Sequence, residues 1–151
     1  MPLPTRNLIG VLILALISPA FAFGADACST VGSNDIAKAT GITVSSGDPG
    51  TPIPGVQSRC TWLASDGTKV ILTLTDSDHA KITIQAQQQR GGTAVSGVGS
   101  EAVGIKGAGF TGGGYIITAL DSKGGFGVSI LGKTGNPENV TALAKLVASK
   151  R

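Results

Sequence analysis

The chain has 151 residues and a formal net charge of +3, with 12 Lys or Arg residues against 9 Asp or Glu. Its basic residues are scattered singly and only 4% of all residues are aromatic, a composition that argues against nucleic acid as a partner. We expect a single domain, because a chain of this length can bury one hydrophobic core.

The first residues have the pattern of a signal peptide. Arg6 supplies a positive charge, residues 8–17 form an apolar run, and Ala20-Phe21-Ala22 provides the small residues that a signal peptidase prefers. The run has about ten residues, too few to span a bilayer comfortably. We therefore predict that residues 1–22 are a cleaved leader and that residues 23–151 form one exported domain, periplasmic or secreted. Only the uncleaved leader would contact the membrane.

A retained membrane anchor and a lipoprotein are the alternatives for this segment. Acylation of Cys28 would require a lipobox before it, but Asp26 lies close before it and no leucine stands three residues before it. Cys28 also lies well beyond the apolar run, and its acylation would leave Cys60 without a partner. Cleavage without acylation is therefore the favoured interpretation.

Cys28 and Cys60 are the only cysteines, and two cysteines in an exported chain usually pair. We predict a disulfide between these residues, which lie 32 positions apart. The chain-entropy estimate for such a link is roughly 3–4 kcal/mol. A redox or zinc pair is the alternative, but the chain has no C-x-x-C motif and only one histidine, too few ligands for a four-coordinate zinc. We predict no metal site and no cofactor.

The first predicted elements of the exported domain are a helix and a loop. Residues 29–41 have a helical pattern, with Ser33 or Asn34 as the N-cap and Gly41 as the stop. Residues 45–55 contain three prolines and three glycines, which forbid a continuous element.

The central stretch, residues 59–74, has the pattern of a β-hairpin. Its Asp66-Gly67 dipeptide predicts a tight two-residue turn with positive φ at both positions. The side chains that alternate onto an apolar face are Cys60, Trp62, Ala64, Val70, Leu72 and Leu74. The opposite face would be rich in threonine and would contain Thr61, Leu63, Ile71, Thr73 and Thr75. Such a face suits solvent or a binding partner, unless helices cover it.

Residues 76–90 fit either a helix or a strand. Apolar residues between positions 82 and 86 alternate with the period of a strand. The helix is favoured because Asp76-Ser77-Asp78 can cap it, because Ala and Gln are good helix formers, and because Gly91-Gly92 would end it.

The last third of the chain predicts a second hairpin and a terminal helix. Residues 91–114 hold ten glycines, and we expect only a short edge segment within residues 95–103. The hairpin strands cover residues 115–120 and 126–131. The helix begins after Asn136, and its core-facing stripe is Val140, Leu143, Ala144 and Val147. The predicted fold class is α+β: an antiparallel sheet of about four strands, in two hairpins, packed by two or three helices and held by one disulfide.

This order of elements resembles a broad set of small exported bacterial domains of unknown function, many of them lipoproteins or extracellular sensor domains. The residues that carry the resemblance are Cys28, Cys60, Trp62, Gly97-Val98-Gly99-Ser100-Glu101-Ala102 and the stripe from Val140 to Val147. The resemblance implies an antiparallel sheet covered by helices, a disulfide, and no known catalytic residues. The chain departs from this set in lacking a good lipobox.

Three patterns could indicate an enzyme or a ligand site, and each has a simpler interpretation. Gly107–Gly112 matches G-x-G-x-x-G, but that motif binds a dinucleotide only between a strand and a helix, and here more glycines and a strand follow. His79, the only histidine, lies next to a helix-capping cluster rather than in a clear catalytic triad. Asp76 and Asp78 have the spacing that begins a calcium loop, without its glycine and distal glutamate.

We therefore predict a non-enzymatic exported binding module with no catalytic residues, whose partner is a protein, an envelope component or a small ligand rather than nucleic acid. The alternatives are a hydrolase with an unrecognised site and a structural or stress-related envelope protein. A hydrolase would need His79 close to a serine hydroxyl and a carboxylate. A partner-binding module would need a sheet face that the helices leave free.

Overall fold

The computed structural model describes residues 26–51, 53–107 and 113–151. The predicted leader, residues 1–22, lies outside this part of the chain. The helices are α1 (Ala27–Thr30), α2 (Ser33–Thr40), α3 (Ser77–Gln89) and α4 (Pro137–Lys150). The strands are β1 (Asp48–Pro49), β2 (Val56–Leu63), β3 (Lys69–Thr75), β4 (Thr93–Ala94), β5 (Glu101–Lys106), β6 (Gly114–Asp121) and β7 (Gly124–Leu131).

The sheet is much larger than the sequence predicts. Its seven strands are ordered β1-β2-β3-β7-β6-β5-β4, and all neighbouring pairs are antiparallel. Both predicted hairpins, β2–β3 and β6–β7, are present, and they form the centre of the sheet because β3 pairs with β7 along its whole length. The prediction of about four strands is therefore wrong, and two or three helices is also too few. The α+β class and the disulfide are confirmed.

The additional strands have a physical explanation. β1 and β4 contain two residues each, and a strand this short has no alternating pattern to detect. Each exists only as an addition to the edge of a longer neighbour, β1 on β2 and β4 on β5. β5 was expected as a short edge segment within residues 95–103. It runs instead through six residues and lies between β4 and β6.

The predicted helix over residues 29–41 is divided into α1 and α2. The N-cap of α2 is Gly32 rather than either of the predicted residues, and its N–H donates to Asp35 Oδ2 at 2.9 Å. Gly41 ends the helix in the left-handed conformation with φ of +73°, as predicted.

The turn between β2 and β3 differs from the predicted one. Among the described residues only glycines have positive φ, so Asp66 does not adopt the conformation that a tight Asp-Gly turn requires. The Gly67 N–H instead donates to Ala64 O at 3.0 Å, and the Ala64 N–H donates to Thr68 O at 2.8 Å. Asp66 Oδ1 accepts the Thr68 N–H at 2.9 Å, and this hydrogen bond lowers the pKa of Asp66 below its ordinary value. The Asp66 side chain stabilises this longer loop by accepting the backbone N–H two residues further on.

One face of the sheet, which we call the closed face, is covered by α1, α2 and α4. α1 packs on β2 and β3, α4 packs on β6 and β7, and α2 packs on α4. The buried side chains that the sheet contributes to this face are Cys60, Trp62, Val70, Leu72, Leu74, Ala102, Tyr115, Ile117, Ala119, Phe126, Val128 and Ile130. The predicted stripe of α4 is confirmed, since all four of its residues are buried in the same core.

The disulfide joins Cys28 of α1 to Cys60 of β2. Cys60 is fully buried on the closed face, so the bond fastens the first described helix to the main core. Gly47 lies directly over it, because a Cβ at that position would be 2.6 Å from Cys60 Sγ and 2.7 Å from Trp62 Nε1. The bond and the tryptophan are therefore both sealed by the loop before β1.

Candidate functional site

Among the described residues, the other face of the sheet is covered by α3 alone. Asp76 caps this helix, since its Oδ1 accepts the His79 N–H at 2.7 Å. The favoured helix over residues 76–90 is thus confirmed against the strand alternative. α3 packs on β5, β6 and β7, and so it protects only one half of the face.

Specific contacts fix the position of α3. Ala80 lies against β7, where a Cβ at Gly125 would overlap its side chain. About two turns further on, Gln87 Nε2 donates to Thr118 Oγ1 of β6 at 2.9 Å. Ile84 between them is buried, but it does not belong to the main core cluster. The helix therefore has its own small contact region on β7 and β6.

The half of the face that α3 leaves uncovered lies on β2, β3 and the far part of β7. We call it the open face, and it consists of Thr61, Leu63, Ile71, Thr73, Ser129 and Leu131. The register places these side chains together, since Thr61 pairs with Ile71 and Ile71 pairs with Ser129. Leu63 is 49% exposed and the others are partly exposed.

The threonine-rich face that the sequence predicts corresponds largely to this surface. Four of its five residues lie on the open face, and the exception is Thr75. Thr75 pairs with Gly125 and is only 6% exposed, because the chain turns directly after it into α3. Its hydroxyl has no hydrogen-bond partner among the described residues.

The change from covered to uncovered surface occurs between two glycines of β7. Gly125 is buried beneath α3. At Gly127, two residues further along the same face, the nearest atom to an added Cβ outside its chain neighbours is Ile117 O at 3.9 Å. β7 therefore carries no side chain at this point, and the open face has a shallow depression beside Thr73.

A cleft of about 680 Å³ lies between the second half of α3 and the ends of β5 and β6. It is lined by Thr83, Ala86, Gln87, Arg90, Gly91, Thr93, Gly104, Ile105, Lys106, Tyr115 and Ile116. β4 pairs only with Val103 and Gly104, so β5 extends beyond it and its free edge forms one side of the cleft. Ile116 pairs with Ser129, which makes the cleft adjoin the open face.

The charges around the open face and the cleft are mostly positive. Arg59 and Lys69 flank the open face, Arg90 and Lys106 line the cleft, and all four are exposed. None of them forms an ion pair with another described residue. One carboxylate also lies at this edge, because exposed Asp48 of β1 pairs with Thr61 of the open face. The described ion pairs, Lys150–Asp35 and Arg151–Asp121, lie elsewhere.

The sequence patterns that could have indicated an enzyme are not brought together. His79 packs against Gly55, and no side chain in the described ranges hydrogen-bonds to its imidazole. Asp76 serves as the helix cap. Of the Gly107–Gly112 pattern only Gly107 lies within the described residues, and the element that follows is strand β6 rather than a helix.

The described residues contain neither a metal-ligand cluster nor a membrane-spanning helix. No group of three or more His, Cys, Asp or Glu side chains is arranged to hold a metal ion in residues 26–51, 53–107 and 113–151. Within the same ranges, no helix is both long enough and apolar enough to cross a bilayer. The disulfide itself indicates an oxidising environment, of the kind that exported proteins meet.

The cleft was not predicted from the sequence. Its lining comes from α3, β5 and β6, which are distant along the chain, and no local pattern links them. One weak signal was available: Gly104 interrupts a strand-like run, and a glycine there often marks close approach of another group. In the structure that group is the Tyr115 ring, which a Cβ at Gly104 would overlap.

Comparisons with protein families, with curated proteins and with solved structures found no match for this chain. The function therefore has to be argued from the chain's own geometry.

Proposed function

We propose that this chain is an exported, non-enzymatic binding module, periplasmic or secreted after loss of residues 1–22, which docks a protein partner on the open face. The observation that carries the proposal is the half-covered sheet. α3 protects β5, β6 and part of β7, while β2 and β3 present side chains on that face with none of the described helices over them.

The composition of the open face supports protein binding. Leu63, Ile71 and Leu131 provide apolar area, and Thr61, Thr73 and Ser129 provide hydroxyls that can both donate and accept hydrogen bonds. A mixture of this kind, apolar at the centre with charges at the rim, is typical of protein interfaces. A flat strand surface also needs little rearrangement on binding.

The charge at the rim supports a partner with an acidic surface. Arg59 and Lys69 are exposed at the two ends of the open face and have no described ion-pair partner. A carboxylate-rich surface would be attracted by these cations and steered toward them. A second copy of this chain would bring the same cations face to face, so that self-association through this face is disfavoured.

Site-specific photo-crosslinking in the native host tests the proposal. A benzophenone amino acid replaces Thr73 in the full chain, and a matched control carries it at Ser149, which is exposed on α4. We expect one defined adduct from position 73 and none from position 149. The captured protein, once purified, should bind the unmodified chain through a surface rich in Asp and Glu, and more weakly as salt is added.

Charge reversal decides whether the captured protein uses the open face. Lys69→Glu should weaken its binding by about tenfold, whereas Lys145→Glu on α4 should leave binding unchanged. The proposal is wrong if positions 73 and 149 give the same adducts, if the adduct is a dimer of this chain, or if Lys69→Glu has no effect on affinity.

A further inference from the structure

We propose that the cleft beside α3 is a binding site for a small organic anion with an apolar body. This inference is independent of the protein partner on the open face. It is carried by two features of the cleft: its apolar walls and its uncompensated positive charge.

The walls of the cleft are mainly apolar. Ala86 comes from α3, Ile105 from β5 and Ile116 from β6, and Tyr115, whose side chain the register places on the closed face, lines the cleft at the end of the strands. The volume of about 680 Å³ lies within the usual range for small-molecule sites. A flat or elongated apolar group can therefore be removed from water between the helix and the strand ends.

The charge of the cleft selects an anion. Its lining contains Arg90 and Lys106 and no Asp or Glu, and neither cation forms an ion pair with a described residue. A carboxylate, sulfonate or similar group at the mouth would be attracted by both cations and would gain charge-assisted hydrogen bonds from Arg90. An uncharged ligand of the same shape would gain only the apolar contact.

Two commercial fluorophores separate the contributions of charge and shape. 8-Anilinonaphthalene-1-sulfonate has an apolar body, one N–H and one negative charge, and N-phenyl-1-naphthylamine is the same molecule without the sulfonate. Fluorescence titration of the full chain at low salt should give saturable 1:1 binding of the sulfonate, about tenfold or more tighter than binding of the neutral compound.

Variants place the binding in the cleft. Arg90→Gln with Lys106→Gln should weaken sulfonate binding about tenfold, down to the affinity of the neutral compound, which should not change. As a control, the double variant Lys123→Gln with Lys145→Gln also removes two positive charges, one from the β6–β7 turn and one from α4. It should change the affinity for neither fluorophore. Ala86→Phe should weaken both compounds by filling the cleft. The unfolding midpoint of each variant shows whether it is folded.

The same titration shows whether the two proposed sites are independent. Lys69→Glu changes the open face only and should leave sulfonate binding in the cleft unchanged. Failure of one proposal then does not decide the other. The cleft proposal is overturned if the two fluorophores bind equally, if the Arg90/Lys106 pair can be neutralised without loss of sulfonate binding, or if Ala86→Phe leaves both affinities intact in a folded protein.

Discussion

The closed and open faces belong to the same strands but differ in what covers them. In β3, Leu72 points to the closed face and is 2% exposed, whereas its neighbour Ile71 points to the open face and is partly exposed. The closed face has a continuous set of large apolar side chains, three helices and a disulfide. The open face has hydroxyls, one glycine and no helix. The difference indicates that stability is concentrated on one side and contact surface on the other.

The largest expected effect is the difference in stability between alanine variants of Leu72 and of its neighbour Ile71. Leu72→Ala should lower the free energy of unfolding by about 2–5 kcal/mol, because it removes packed volume from the closed core. Ile71→Ala should lower it by about 1 kcal/mol or less, since that side chain is already partly hydrated. Chemical denaturation of both variants measures the two values. Equal losses would contradict the division of the sheet into a structural and a contact face.

Removal of the disulfide tests how much the closed face depends on its link to α1. Cys28→Ser with Cys60→Ser should lower the free energy of unfolding by about 2–4 kcal/mol. Reduction of the disulfide in the unmodified chain should likewise lower its denaturation midpoint. A variant as stable as the disulfide-bonded protein would show that α1 is held by packing alone. Thiol titration of the unfolded, unreduced chain checks that both cysteines are paired at the start.

The two glycines of β7 test where the cover by α3 ends. Gly125→Ala should cost about 1–3 kcal/mol, because its methyl group would overlap Ala80 and push the helix from the sheet. Gly127→Ala should be neutral or stabilising by about 0.5–1 kcal/mol, since there is room and alanine favours the strand more than glycine does. The comparison is made by thermal unfolding of both variants. If Gly127→Ala is the more damaging substitution, the open face is covered by something other than solvent.

The smallest expected effect is the pH dependence of one surface ion pair. Lys150 Nζ lies 2.7 Å from Asp35 Oδ2, and this contact, followed by the Gly32 N–H, lowers the pKa of Asp35 below its ordinary value of 3.8. A lowered carboxyl pKa contributes stability above the ordinary value, and the contribution is lost as pH falls through the lower, folded-state value.

Asp35→Asn should therefore be slightly less stable than the unmodified chain at neutral pH and equally stable in strong acid. Unfolding midpoints at both extremes of pH measure the difference. In a Lys150→Met background, the stability difference caused by Asp35→Asn should shrink, because the Lys150 hydrogen bond is the largest cause of the lowered pKa of Asp35. If Asp35→Asn and the unmodified chain differ in stability by the same amount at neutral pH and in strong acid, the ion pair is not the source of that difference.

The parts of the fold that the sequence predicted are those determined by local chemistry. α4 was predictable because Asn136 caps it, Pro137 begins it, and its apolar stripe repeats with helical spacing. The two long hairpins were predictable from alternation. β1 and β4 were not, because two residues carry no period and these strands depend on the edges of β2 and β5.

The candidate site was predictable only in part. Alternation along β2 and β3 placed Thr61, Ile71 and Thr73 on one face, but it could not show that α3 would cover Thr75 and leave the others free. That outcome depends on the contact of Ala80 with Gly125, two residues 45 positions apart. The cleft was beyond sequence reasoning, since its cations come from the C-cap of α3 and from β5.

The most direct test of the account is carbene footprinting of the full chain in two states. One sample is the purified protein, and the other is the protein labelled in the exported fraction of its native host. The account predicts that Leu63 and Ile71 lose labelling in the native fraction, while the outer face of α4 around Ser149 is labelled equally in both. Unchanged labelling at Leu63 and Ile71, or protection that falls on α4 instead, would contradict it.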